Sequence, residues 1–157
     1  CDKIYTPRHM IPQEVLELMP GRVINLHTSY LPYNRGSSPN FFSFLEDTPK
    51  GVTIHLMSAG LDEGDILCQR ELHFDEEKET FASTYEALLQ EIEKLFRENW
   101  QQIREGNIIP VKQAGPVTYH RMKDLDAIRE KVDFDWNMKI GDFKRAYEKA
   151  MRKDENS

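Results

Sequence analysis

The chain has 157 residues, 39% of them hydrophobic and 31% charged, with a formal net charge of −6, enough for one domain with a real core and too few for two large ones. The acidic balance gives no Lys/Arg footprint for nucleic acid, and no apolar run approaches the ~20 residues that span a bilayer. Two cysteines, Cys1 and Cys68, form neither a disulfide framework nor a metal pattern, which points to a reducing, cytoplasmic setting.

Residues 1–12 read as a loop, with Pro12 suited to the first turn of a short helix over 13–19 that stops at Pro20-Gly21. A strand over 22–27 follows, then a loop over 31–36. Ser38 as N-cap and Pro39 in the first turn predict a helix over 39–45. Strands over 51–57 and 65–72 flank a glycine-punctuated turn rich in carboxylates, through which the second is expected to return antiparallel beside the first. In the first of these, Val52, Ile54 and Leu56 face one way and Thr53, His55 and Met57 the other. The strongest helical pattern runs over 80–104 and ends at Gly106. Its Phe81, Tyr85, Leu88, Leu89, Ile92, Leu95, Phe96 and Ile103 make one apolar stripe, the signature of a helix packed on a sheet. Residues 108–111 predict a short strand, Gln113-Ala114-Gly115-Pro116 a linker, and 117–121 a small strand or extended arm. The tail from Lys123 is highly charged and carries a helix over 140–151. The expected organisation is an α/β domain over 1–112 and a charged C-terminal extension over 113–157. The chain opens in what reads as the middle of an α/β unit, so a fragment of a longer fold is expected, with roughly 60–80 residues missing at about 30 or more per βαβ unit.

The strand over 22–27 delivers Asn25 and His27 to one face, a hydrogen-bond donor beside a group that titrates near neutrality. The turn after the next strand supplies Asp62, with Asp65 as the rival carboxylate. His55 is expected to be a structural partner within the sheet, and Ser29 to bond its own loop rather than act as a nucleophile, since no base is spaced to activate it. His9, His73 and His120 have no companions at ligand spacing, so no metal is expected.

Three ordered blocks carry a family resemblance: Asn25-x-His27-x-Ser29-x-Leu31-Pro32, then Gly51-x-Thr53-x-His55, then Leu61-Asp62-x-Gly64. Together, over roughly residues 4–72, they resemble the folate-dependent formyltransferases: the glycinamide ribonucleotide, methionyl-tRNA and amino-sugar enzymes. The resemblance implies the C-terminal part of a Rossmann-like catalytic domain with a mainly parallel central sheet, lacking its N-terminal βα units. It implies formyl transfer from 10-formyltetrahydrofolate to a primary amine of a small acceptor, without a metal. It also implies that Asn25, His27 and Asp62 are catalytic: Asn25 and His27 donating to the developing oxyanion, and His27 moving a proton beside Asp62. The loop of Arg8, His9 and Met10 and the turn of Ser58, Ala59, Gly60 and Leu61 would hold the folate, largely through backbone.

Arg35 and Gly36 resemble the dipeptide of the methionyl-tRNA and amino-sugar members and would bind the acceptor. Arg35 either steers an anionic acceptor or is an ordinary exposed arginine. Asp135-Trp136 before a helix resembles an element of the same members. With a tail too short for the large C-terminal domain of methionyl-tRNA enzymes, an amino-sugar nucleotide is the favoured acceptor. The alternatives are methionyl-tRNA, glycinamide ribonucleotide, hydrolysis of formyltetrahydrofolate, and a catalytically silent fragment. Expected partners are folate and a small amine, with no membrane, nucleic acid disfavoured although tRNA stays open, and a homodimer compatible with the chain.

Overall fold

Alternation along residues 50–56 predicts a strand with one apolar and one polar face, and in the computed structural model both faces are covered. Val52 and Ile54 on one side, and Thr53 and His55 on the other, are all at most 1% exposed, which marks this strand as central. The structure describes residues 3–4 and 11–154. In chain order the elements are β1 (Lys3–Ile4), α1 (Gln13–Leu18), β2 (Val23–His27), β3 (Arg35–Gly36), α2 (Pro39–Leu45), β4 (Lys50–Leu56), β5 (Ile66–Leu72), α3 (Phe81–Glu105), β6 (Tyr119–His120), α4 (Met122–Arg129) and α5 (Ile140–Asp154). No helix among the described residues is long and apolar enough to cross a membrane.

The α/β class is as expected, and the orientation of the described strands differs from a mainly parallel sheet. Four strands run in the order β1-β2-β4-β5: β1–β2 is parallel and β4–β5 antiparallel, as expected of the return through the Asp62 turn, while β2–β4 is antiparallel where a parallel pair was expected. The cause is the connection after β2. The Thr53 hydroxyl donates to Ser29 O at 2.7 Å and accepts from Leu31 N at 3.1 Å, pinning the loop to the neighbouring strand. The chain therefore re-enters the sheet at the end it left, whereas a parallel neighbour needs a crossover spanning the sheet. The antiparallel register sets Asn25 opposite His55 and His27 opposite Thr53.

Two apolar cores flank this arrangement. The first packs Ile24, Val52 and Ile54 of the sheet against Leu88, Ile92 and Leu95 of α3. The stripe on α3 is narrower than its sequence suggests: Tyr85 and Leu89 are exposed, and Thr84 takes a buried place between Phe81 and Leu88. Thr80 caps the helix by accepting from Ser83 N at 3.0 Å, and Gly106 ends it in the left-handed conformation. The second core is built of rings: Phe41 and Phe44 of α2, Phe81 of α3 and Phe143 of α5, with Leu125, Val132 and Ile140. Residues on both sides of position 112 thus share one core.

Several local expectations are corrected. Ser38 occupies the N-cap of α2 but sits at φ 53° and makes no side-chain cap bond. Residues 108–111 give a bridge of Val111 to Ile66 rather than a strand. Residues 3–4 form β1 in what reads as loop, the arm near residue 119 pairs in parallel with β3, and α4 forms within the charged tail.

Phe143→Ala, in the aromatic core, is expected to cost about 3–5 kcal/mol of global stability. Urea unfolding followed separately at Trp100 and Trp136 measures it, and coincident transitions at the two positions are expected.

Candidate active site

Asn25 and His27 leave β2 on the same face, as strand alternation requires, and the β2–β4 register adds His55 beside them. The turn after β4 folds back over this face and lowers Asp62 onto the three side chains. Asp62 Oδ1 accepts from Asn25 Nδ2 at 3.2 Å and lies 3.5 Å from His55 Nε2; its Oδ2 lies 3.7 Å from His27 Nδ1. Oδ2 also accepts from Gly36 N at 2.9 Å. The predicted trio of Asn25, His27 and Asp62 does converge, and His55 belongs with it: its Nε2 is 3.3 Å from Asn25 Nδ2. Ser29 bonds Tyr33 O at 2.7 Å, within its own loop as expected.

Hydrogen bonding assigns the ring protons. His27 Nε2 faces the carbonyl of Asn34 at 3.1 Å and His55 Nδ1 that of Leu56 at 2.8 Å, so each of these nitrogens must donate. In the neutral form, the lone pairs of His27 Nδ1 and His55 Nε2 then point into the cluster. Burial pushes the His27 imidazole below its usual range, although the charge of Asp62 and the bond to Asn34 pull the other way. At neutral pH the ring is therefore an uncharged base beside a carboxylate. For Asp62, burial would raise the value, but the His55 contact, the charge of His27 and the Gly36 amide together outweigh it and hold the carboxyl at about 2.

Two glycines make this geometry attainable. A Cβ on Gly36 would lie 2.3 Å from His120 O, and its φ of 89° favours glycine in any case. A Cβ on Gly64 would lie 1.6 Å from Leu56 O, which is why the turn carrying Asp62 has a glycine two residues later. Asp62 itself adopts φ 53°.

Arg35 is neither exposed nor aimed at open space. It donates to Gln113 Oε1 through Nε at 3.2 Å and Nη2 at 2.7 Å, and Nη1 is 3.5 Å from Glu63. Ser58, Ala59, Gly60 and Leu61 form the turn leading into Asp62, with Ser58 Oγ bonded to Gly60 O at 3.3 Å. Arg8, His9 and Met10 lie outside the described residues. Among the described residues no group of three His, Cys, Asp or Glu is placed to hold a metal ion.

Two residues here escaped the sequence reading. Asn34, wholly buried at φ 54°, holds His27 through its carbonyl; its backbone N–H bonds Thr118 Oγ1, and its side chain bonds Glu46 and Thr48. An Asn just ahead of Arg-Gly in a tight loop was the available signal. Gln113, read as linker, gave no signal at all. A cavity of about 500 Å³ is lined by Thr28, Ser37, Ser38, Tyr85, Met122 and Trp136 among others, and touches the cluster's segments only through chain neighbours. Thr28 follows His27 directly and Ser37 follows Gly36. A second cavity of about 330 Å³, between Ile24, Leu56 and Trp100, lies on the opposite face of the sheet.

Comparison with known proteins identifies a family. The family model described as "Formyl transferase" matches residues 8–99. The dTDP-4-amino-4,6-dideoxyglucose formyltransferase of Mycobacterium tuberculosis is 33% identical over 108 residues, covering 69% of this chain and 46% of that protein. The methionyl-tRNA formyltransferase of Bacillus mycoides is 35% identical over 130 residues, covering 81% of this chain and 40% of that protein. The chain thus spans less than half the length of these relatives. Among solved structures, the formyltransferase PseJ from Anoxybacillus kamchatkensis, in complex with UDP-4,6-dideoxy-4-formamido-L-AltNAc and tetrahydrofolate, superimposes with a TM-score of 0.81. It is 45% identical, over 85% of this chain and 70% of that one.

The electrostatics predict acid lability with a defined origin. Asp62 ionises in the native state at about 2, below the ordinary value near 4 expected once unfolded, so its contribution of about 2 kcal/mol is complete above that value and lost as pH falls toward 2. His27, depressed by burial, adds a loss that begins as pH falls below its unfolded value of about 6.5. Urea midpoints measured from pH 7 to 3 should fall less steeply below about pH 4 in Asp62→Asn than in the wild type.

Proposed function

Because the chain belongs to the formyl transferase family, we propose that it carries the chemical centre of an N-formyltransferase that moves a formyl group from 10-formyltetrahydrofolate to the amine of an amino-sugar nucleotide. The observation that carries this reading is the convergence of Asn25, His27 and His55 on the Asp62 carboxylate.

In this reading a neutral amine attacks the formyl carbon, and a C–N bond forms as the carbonyl electrons move onto oxygen. The amine proton passes to the Nδ1 lone pair of His27, and Asp62 stabilises the imidazolium so formed. Collapse of the tetrahedral intermediate breaks the bond to N10, which takes the proton back from His27 and leaves as tetrahydrofolate. His27 therefore serves as the proton carrier rather than as the second oxyanion donor that its sequence position suggests, because its only N–H at neutral pH is directed at Asn34. Asn25 supplies the donor to the oxyanion. Of its two amide contacts, the 3.3 Å one to His55 is long enough for a full negative charge to outcompete.

The acceptor side is supported by the cavity's composition. Its hydroxyls come from Thr28, Ser37 and Ser38, next in the chain to His27 and Gly36, and the rings of Tyr85 and Trp136 offer apolar faces to a nucleotide base. The likeness to PseJ, whose complex holds a UDP-linked formamido sugar, favours the same acceptor class. Folate would lie along the 58–61 turn, and Arg35 and Gly36 would act on the acceptor by shaping the site rather than by direct charge.

The test is incubation with 10-formyltetrahydrofolate and a panel of amines that includes UDP- and dTDP-linked 4-amino sugars, following tetrahydrofolate and formamide together. Product should appear with an amino-sugar nucleotide, and His27→Ala should lower turnover by ~100-fold or more with folate affinity nearly intact. Formate release without any amine would replace this reading with hydrolysis.

A further inference from the structure

Gln113 stands outside the matched family segment, in a Gln-Ala-Gly-Pro run whose composition reads as linker. Its side chain is nevertheless fully committed. Nε2 donates to Asp62 O and to Gly64 O, each at 2.8 Å, while Oε1 accepts from Nε and Nη2 of the Arg35 guanidinium. The carboxylate of Asp62 is gripped by Gly36 N and Asn25 Nδ2, and its backbone sits at φ 53°, in the left-handed region that few residue types besides Gly, Asn and Asp adopt. The turn therefore needs an outside restraint, and the Gln113 amide is the group that binds its carbonyls on both sides of Glu63.

We propose that Gln113 is a positioning residue for Asp62: its amide bridges Arg35 to the 62–64 turn and sets the distance between the carboxylate and the two imidazoles. The inference rests on Asp62 being the functional carboxylate of the site. Only a primary amide of this length meets the requirement. Two donors face two carbonyls and one oxygen faces a guanidinium, so Glu would set oxygen against carbonyl oxygen, Leu would leave all four partners unpaired, and Asn would fall one methylene short. Arg35 in turn orients the amide, so that Nε2 rather than Oε1 faces the turn. The charged groups around the turn are Arg35 and Glu63 on one side, the Lys112–Asp65 pair at 2.9 Å on another, and His27 and His55 beneath.

The test reads geometry through the imidazoles and needs no substrate. Long-range 1H–15N spectra follow the titration of His27 and His55 in the wild type, Gln113→Leu, Asp62→Asn and the double variant, with the exposed His73 as an internal control. Since the charge of Asp62 raises the His27 titration point, both single variants should lower it, Gln113→Leu by about half a pH unit or more. The double variant should match Asp62→Asn alone, because Gln113 acts through that carboxylate. Gln113→Asn, which keeps the amide and retracts it, should displace His27 in the same direction if the leucine variant does not fold. A folded Gln113 variant with His27 titrating as in the wild type overturns the proposal, and so does a Gln113 effect that persists undiminished with Asn at 62. Loss of formyl transfer in the wild type alongside intact coupling would remove the activity reading and leave this one standing.

Discussion

A single carboxylate gathers the site. Asp62 is nearly buried, and a buried carboxylate is costly unless donors surround it. Here they come from two places, Asn25 on β2 and Gly36 on β3, with His55 of β4 and His27 of β2 in contact beside them. Each would sit differently if its element moved, so the fold around the turn is constrained by the need to satisfy one charge. The same surroundings keep the carboxyl ionised at about 2 while burial keeps His27 uncharged. A permanently charged acid beside an uncharged base is the condition under which a proton can be accepted at neutral pH and the resulting cation held.

The scaffold supports this from two sides. The helix face of the sheet is closed by α3, and the polar face is closed by loops rather than by a second layer of apolar side chains. Thr53 and Asn34 explain how loops can do so. Thr53 bonds Ser29 and Leu31, Gln69 reaches Leu31 O at 2.7 Å, and Asn34 uses its backbone and side-chain groups to join the loop to Glu46, Thr48 and Thr118. These buried polar groups are satisfied, so the loop behaves as a rigid part of the core. The phenylalanine cluster then ties α2, which follows the loop, to α3, α4 and α5.

Much of this was legible in the residues, for reasons that differ by element. Strand alternation put Asn25 and His27 on one face, and Pro39 and Gly106 marked helix ends, because these are local effects of backbone geometry. The pairing of β2 with β4 was not legible, since strand direction depends on a loop bond between Thr53 and Ser29 that no local pattern encodes. His55 read as a sheet residue because its nearness to Asp62 follows from register. Gln113 was missed for the same reason at longer range, with 51 residues separating it from the carbonyl it binds. Arg35, weighed as either a steering cation or a surface arginine, donates twice to Gln113 Oε1, a contact visible only once Gln113 is in place.

In the proposed formyl transfer these parts converge on one requirement, that the Asp62 charge be present for the chemical step. Single-turnover formyl transfer by Asp62→Asn, with folate binding measured in parallel, tests it directly. The expected result is a loss of about 100-fold or more in the transfer rate with the fold and folate affinity retained. A rate within about threefold of the wild type would contradict it.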